Sequence, residues 1–217
     1  MDWMAETTES YFLTVLEAGS ARSRLGSGEG KSKFGHGIYI TSSYETAALY
    51  ASKAAKKNRV DTVYVYTVGV PELTECNYIL SSLPLNPNVA IALEKALGEK
   101  IPNEAKEQGK LFRKYVGNVL IGNRVTTKQM MDKADAAAED AVSGFLNDNG
   151  ITYLVWPKAQ MKPDALISKI HEVGLDAIET NRAVLNAECI KILKIEQVKT
   201  DEKNKLIKGS ETLIKEF

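Results

Sequence analysis

The sequence predicts an α+β fold: a split, mostly antiparallel two-sheet core with flanking helices and a helical insertion. Three observations carry that expectation. Short β-branched and aromatic runs stand early, at Ile38-Tyr39-Ile40 and over 62–70. Similar runs return late, over 151–156 and 185–195. Between about 75 and 148 the pattern turns helical, and strands on either side of a strand-poor middle suggest an insertion in a β-rich core.

A chain of 217 residues with 44% hydrophobic and 26% charged side chains can bury one large core. The expected organisation is a single domain over 1–198, with the insertion at 75–148, followed by a charged tail or peripheral helix over 199–217. Basic and acidic residues balance at 28 each, which argues against general nucleic-acid binding through phosphate neutralisation. Cys76 and Cys189 lie far apart and beside no histidine ligand pattern, so neither a metal site nor a disulfide framework is expected. Met1-Asp2-Trp3-Met4 has no basic start and leads into no apolar stretch, and no run reaches membrane-spanning length. The expected setting is cytoplasmic, or outside the cell by a route without a cleavable signal, with no membrane partner.

The elements follow in order. Trp3 to Thr7 could form a very short strand. Tyr11, Phe12, Val15 and Leu16 fall at helical spacing, closing at Gly19. A polar, glycine-rich loop fills 20–33. After the Ile38-Tyr39-Ile40 strand, Ser42 and Glu45 make a capping-box pattern. The helix that follows carries Tyr44, Ala47, Ala48, Ala51, Ala54 and Ala55 on one face, small enough for close docking. The run 62–70 is a strand stopped by Pro71. Val89, Ala92, Leu93, Ala96 and Leu97 mark a helix ended by Gly98. Leu111, Phe112, Tyr115 and Val116 mark another, and the stripe from Met130 to Leu146 marks the longest, ended near Gly150. Pro163 opens a helix through His171 to Gly174. Residues 175–178 and 185–195 read as strands.

The stretch the rest is organised around is Phe34-Gly35-His36-Gly37-Ile38-Tyr39, then a polar turn and a helix carrying Tyr50, eleven residues after Tyr39. It resembles the core motif of the ADP-ribosyltransferases, in the diphtheria-toxin-like and poly(ADP-ribose) polymerase-like branch. The resemblance implies that fold, NAD as substrate, and two tyrosine rings flanking its nicotinamide, as a flat heteroaromatic ring prefers. It gives NAD contacts to Tyr39, Tyr50, Met4, Ala5, Gly37 and Ser42. Without it, the stretch reads as a glycine turn feeding a core strand and helix, with both tyrosines packed.

One position departs from the family. With Trp3 on its aromatic position, Met4 stands where the family has a histidine that binds a ribose hydroxyl, and Ala5 stands on the next glycine. A thioether is a weak acceptor and no donor. Glu6 or Thr7 could supply the missing contact, or the site is inactive. His36 lies in the variable position of the turn, and His171 on the wet side of a helix.

Breaking the bond between nicotinamide and ribose passes through an oxocarbenium-like state, so a fixed carboxylate is needed. Asn186-Ala187-Glu188-Cys189-Ile190 resembles the family segment that carries it, which makes Glu188 the matching acid, with Glu179 second. The resemblance spans roughly 3–70 and 150–195 and leaves the helical block unexplained. It implies a toxin-like or effector-like mono-ADP-ribosyltransferase acting on an unknown macromolecular or small-molecule acceptor, or else a silent module of that fold that binds NAD, a nucleotide or a protein.

Overall fold

A computed structural model describes residues 10–14 (as backbone), 37–57, 59–123 and 136–217. The architecture is mixed α+β. The chain divides into two compact units, with the boundary inside one strand after Tyr39; the first holds Ile40–Leu73 and Ala187–Phe217 together with the N-terminal strand.

In the first unit β1 (Ser10–Thr14) lies antiparallel to β3 (Val63–Val70), β3 to β7 (Lys191–Val198), and β7 to β8 (Thr212–Glu216). The end of β2 (Ile38–Thr41) pairs with the other side of β1, Ile40 against Thr14. Residues 11–16 were expected as helix. Tyr11, Phe12, Val15 and Leu16 fit either period in so short a run, and β1 is a strand because β3 and β2 offer it partners on both sides. Between β3 and β7 the register slips by one at Leu193, so Thr67 faces Lys194 and Val68 faces Ile192.

Helix α1 (Tyr44–Lys57) covers this sheet with the small-residue face read from the sequence. Ala47, Ala48 and Ala51 pack with Val63, Val65 and Val198. The cap is Ser43 rather than Ser42: its Oγ accepts the Thr46 N–H at 3.4 Å, while Ser42 is exposed. Tyr44 donates its hydroxyl to Glu196 at 3.2 Å, and Glu196 is also paired with Lys194 at 2.7 Å. Residues 199–217 are neither helix nor tail. Ser52 of α1 donates to Asn204 and shares a hydrogen bond with Thr200, Leu206 packs beside α1, and the chain returns as β8.

The second unit holds β4 (Tyr78–Leu80), α2 (Pro87–Leu97), α3 (Asn103–Lys106), α4 (Gly109–Leu120), α5 (Ala136–Asp148), β5 (Tyr153–Pro157), α6 (Pro163–Val173) and β6 (Thr180–Val184). The expected all-helical block therefore contains a strand: β4 pairs in parallel with β5. Three residues show no period a sequence can report. Asn86 caps α2 by accepting the Asn88 N–H at 2.9 Å, and Gly98 closes it with φ 78°. Phe112, Val116, Val142, Leu146, Ile79 and Leu154 are among the side chains of one core between the helices and β4–β5. Arg113 and Glu139 form an ion pair buried between α4 and α5.

Residues 175–178 are a turn, not a strand: Ile178 donates to the Leu175 carbonyl, and both side chains are buried anchors. The expected strand over 185–195 is broken. Strand β6 stops at Val184, Ala187–Cys189 is a short 3-10 turn, and pairing resumes at Lys191. Alternation alone does not mark where partners run out.

Candidate functional site

The site begins in the second unit, at Gly37. A Cβ on this glycine would stand 2.7 Å from the Val184 carbonyl oxygen and 3.4 Å from the Ala183 Cβ. Backbone cannot yield there, so the motif glycine serves close approach to β6. Two residues on, Tyr39 lies half-buried at the margin of the helical core. Its ring meets Trp156 edge-on, with centroids 5.6 Å apart and planes at 64°.

Trp156 stands opposite Asn181 across the β5–β6 pair, so the two side chains share a face. Beyond them Lys158 and Glu179 make a surface ion pair at 3.1 Å, joined by a backbone bond from the Lys158 N–H to the Glu179 carbonyl. The other face of the same strands carries Arg182, fully buried, with its guanidinium 5.5 Å from the centre of the Tyr153 ring and Nη2 3.4 Å from Asp176. Burial lowers the Arg182 pKa to about 10, against the pull of Asp176.

The remaining expected residues belong to the first unit or lie outside the described residues. Tyr50 projects from α1 with 48% of its surface exposed, and Lys53 Nζ stands 5.2 Å from its ring centre. Ser42 is exposed in the turn after β2. Glu188 is exposed on the 3-10 turn rather than on a strand. Next to it the Cys189 thiol is half-buried, and burial raises its pKa. The segment 180–185, expected to overhang the site as a loop, is strand β6 through Val184. Met4, Ala5, Glu6, Thr7 and His36 lie outside the described residues, and His171 is exposed on α6.

The structure thus brings Gly37 and Tyr39 together beside β5 and β6, and adds two residues that sequence reasoning missed. Trp156 had a signal, an aromatic at a strand end before Pro157. Asn181 had none, because its neighbour across the pair is not written in its own sequence. Among the described residues no group of three His, Cys, Asp or Glu side chains could hold a metal ion, and no helix is long and apolar enough to cross a membrane. No family model matches this chain, and no curated protein or solved structure matches it.

Proposed function

We propose that the chain is an NAD-dependent mono-ADP-ribosyltransferase, built on the split antiparallel core of that family. The observation that carries the proposal is the state of the motif tyrosines. Gly37 is fixed against Val184, and Tyr39 just beyond it is only partly buried at the edge of the core, its ring edge-on to Trp156. Tyr50 leaves nearly half its surface in water. Packed core tyrosines would be expected to show neither feature, whereas rings that await a flat heterocycle need such surface.

In the proposed reaction Tyr39 and Tyr50 are aromatic contacts for nicotinamide. The bond between nicotinamide and ribose C1 breaks, nicotinamide leaves with the bonding electrons, and an acceptor nucleophile forms the new bond at C1. Glu188 supplies negative charge to the oxocarbenium-like centre. Transfer of a single unit is favoured because Met4 stands in place of the histidine that orients the ribose.

That same Met4 supports a second reading, a silent module that binds NAD without cleaving it, and the exposed turn position of Glu188 adds to it. A fold outlives its reaction in many lineages. Incubation with NAD labelled in the nicotinamide ring decides between them. Release of label by the wild-type protein and not by Glu188→Gln supports the transferase. Saturable binding without release supports the silent module, and no binding overturns both.

A further inference from the structure

Strand β4 is an edge: among the described residues it pairs with β5 alone. The Asn77 carbonyl accepts the Tyr153 N–H, and the Ser81 N–H donates to the Val155 carbonyl, so the odd-numbered residues bond to β5. Backbone groups alternate sides along a strand, and those of Tyr78 and Leu80 therefore aim at the free edge. A cavity of about 170 Å³ opens there, lined by Tyr78, Ile79, Leu80, Pro84, Leu85 and Asn86. Successive strand side chains point to opposite faces, so a space touching three in a row lies against the bare edge. Its walls are mixed. Ile79 and Leu85 belong to the helical core, while Tyr78 is half-buried and its hydroxyl has no hydrogen-bond partner among the described residues. Asn86 spends its Oδ1 on the cap of α2, which leaves its amide nitrogen to solvent. The surroundings are acidic. Burial first, and then the charges of Glu75 and Asp176, raise the Tyr78 pKa, so both carboxylates act on this ring. Asp176 is paired with Arg182, whereas Glu75, exposed on the turn before β4, has no ion pair among the described residues.

We propose that this cavity binds a single-ring organic cation, an aryl group carrying an ammonium on a short stem. The proposal goes beyond the NAD reading and does not depend on it, since neither Tyr39 nor Tyr50 lines the cavity. Size sets the first half of the ligand: an apolar cavity of about 150 Å³ holds one benzene ring. Ile79, Leu80, Pro84 and Leu85 give that ring its apolar walls. Charge sets the second half. An ammonium has donors only, and Tyr78 offers acceptors in its edge-facing carbonyl and its hydroxyl. The Tyr78 ring face and the uncompensated Glu75 carboxylate both favour positive charge beside them. A neutral alcohol of the same shape keeps the apolar contact and loses the charge, and a carboxylate is repelled.

The test titrates benzylamine, benzyl alcohol and benzoate into the ¹⁵N-labelled full chain and follows the backbone amide shifts by NMR. Benzylamine should move the Tyr78, Leu80 and Leu85 amides saturably and bind more tightly than the alcohol, with benzoate the weakest. Glu75→Gln should weaken benzylamine by about two- to fivefold, the scale of one exposed ion pair, and leave benzyl alcohol unchanged. Leu80→Trp, which fills the cavity, should abolish the shifts caused by benzylamine. The thermal midpoint of each variant verifies folding, and the wild-type shift map locates the site should the tryptophan variant fail to fold. Equal binding of benzylamine and benzyl alcohol, indifferent to Glu75→Gln, would mean a cavity that takes a ring without reading charge, and the proposal falls. It falls equally if benzoate binds best, if the saturable shifts lie on other elements, or if no probe moves these amides.

Discussion

The Tyr39 and Trp156 rings meet edge to face, with centroids 5.6 Å apart. The contact fixes the tilt of Tyr39, which is partly buried at the edge of the core. Tyr39→Ala should therefore weaken NAD binding by about 1–3 kcal/mol, the usual loss for removing an aromatic anchor. Tyr44→Phe, which removes only a hydroxyl bonded to Glu196, should leave NAD affinity nearly unchanged. Titration of both variants checks this, and equal losses would remove Tyr39 from the site.

Gly37→Ala tests the motif glycine as architecture. The added methyl carbon would lie 2.7 Å from a β6 carbonyl oxygen, and neither backbone has room to move cheaply. Stability should fall by about 1–3 kcal/mol, as for other overpacked positions. Urea denaturation measures it. An unchanged midpoint would mean the strand start shifts freely.

Legibility of the fold followed the strength of local signals. Glycine and proline punctuation marked the ends of α2 and α6, and alternation marked β3, because each signal is written in one short stretch. Ser43 was displaced by one residue because Ser42 and Ser43 offer the same chemistry, and only the helix start chooses between them. Partner-dependent features were hidden. Strand β1 has a period that also fits a helix, β4 has three residues, and β8 came from a run too charged to resemble a strand. For the candidate site, the sequence supplied Gly37, Tyr39 and Tyr50. The Trp156–Asn181 pairing came from strand register, and register is set by which strands meet.

Arg113 and Glu139 are the buried charges of the helical core. A single nitrogen, Arg113 Nη2, donates to both Glu139 oxygens at 2.7 Å. Among the described residues Arg113 Nε and Nη1 are buried without a partner. Removing one charge strands the other, so Arg113→Met or Glu139→Leu alone should cost about 3–5 kcal/mol. The double replacement should recover most of that loss, since it also abolishes the two unpaired donors. Chemical denaturation of the three variants forms the cycle. A double mutant as unstable as the sum of the singles would show that the two charges are not coupled.

The Tyr44 hydroxyl gives the first unit a sensitivity to base. Burial first, and then the nearby Glu196 charge, hold its pKa well above the ordinary tyrosine range. A group whose folded pKa is raised keeps its proton in the folded state after the unfolded chain has lost it. Its contribution is complete below the ordinary value near 10 and declines as pH rises above it. Stability measured from pH 8 to 11 should fall more steeply in wild type than in Tyr44→Phe. Parallel slopes would mean that Tyr44 titrates alike in both states.

Glu188→Gln is the sharpest test of the proposed chemistry. Glutamine keeps the shape and most of the hydrogen bonding of glutamate and removes only the charge. If that charge faces the oxocarbenium-like centre, turnover should fall by about 10²-fold or more, the scale of losing one preorganised electrostatic group. NAD affinity should hardly change, because the charge matters chiefly in the transition state. Glu188 is exposed on its turn, and the thermal midpoint of Glu188→Gln separates lost charge from lost folding. Met4→His is the counterpart. If Met4 stands at the ribose-orienting position, an imidazole there restores a donor and should raise turnover or tighten NAD. Transfer that survives Glu188→Gln would move the acid to Glu179, whose exposed carboxylate is paired with Lys158 two residues beyond Trp156. The Glu179→Gln variant would then be the one to lose activity.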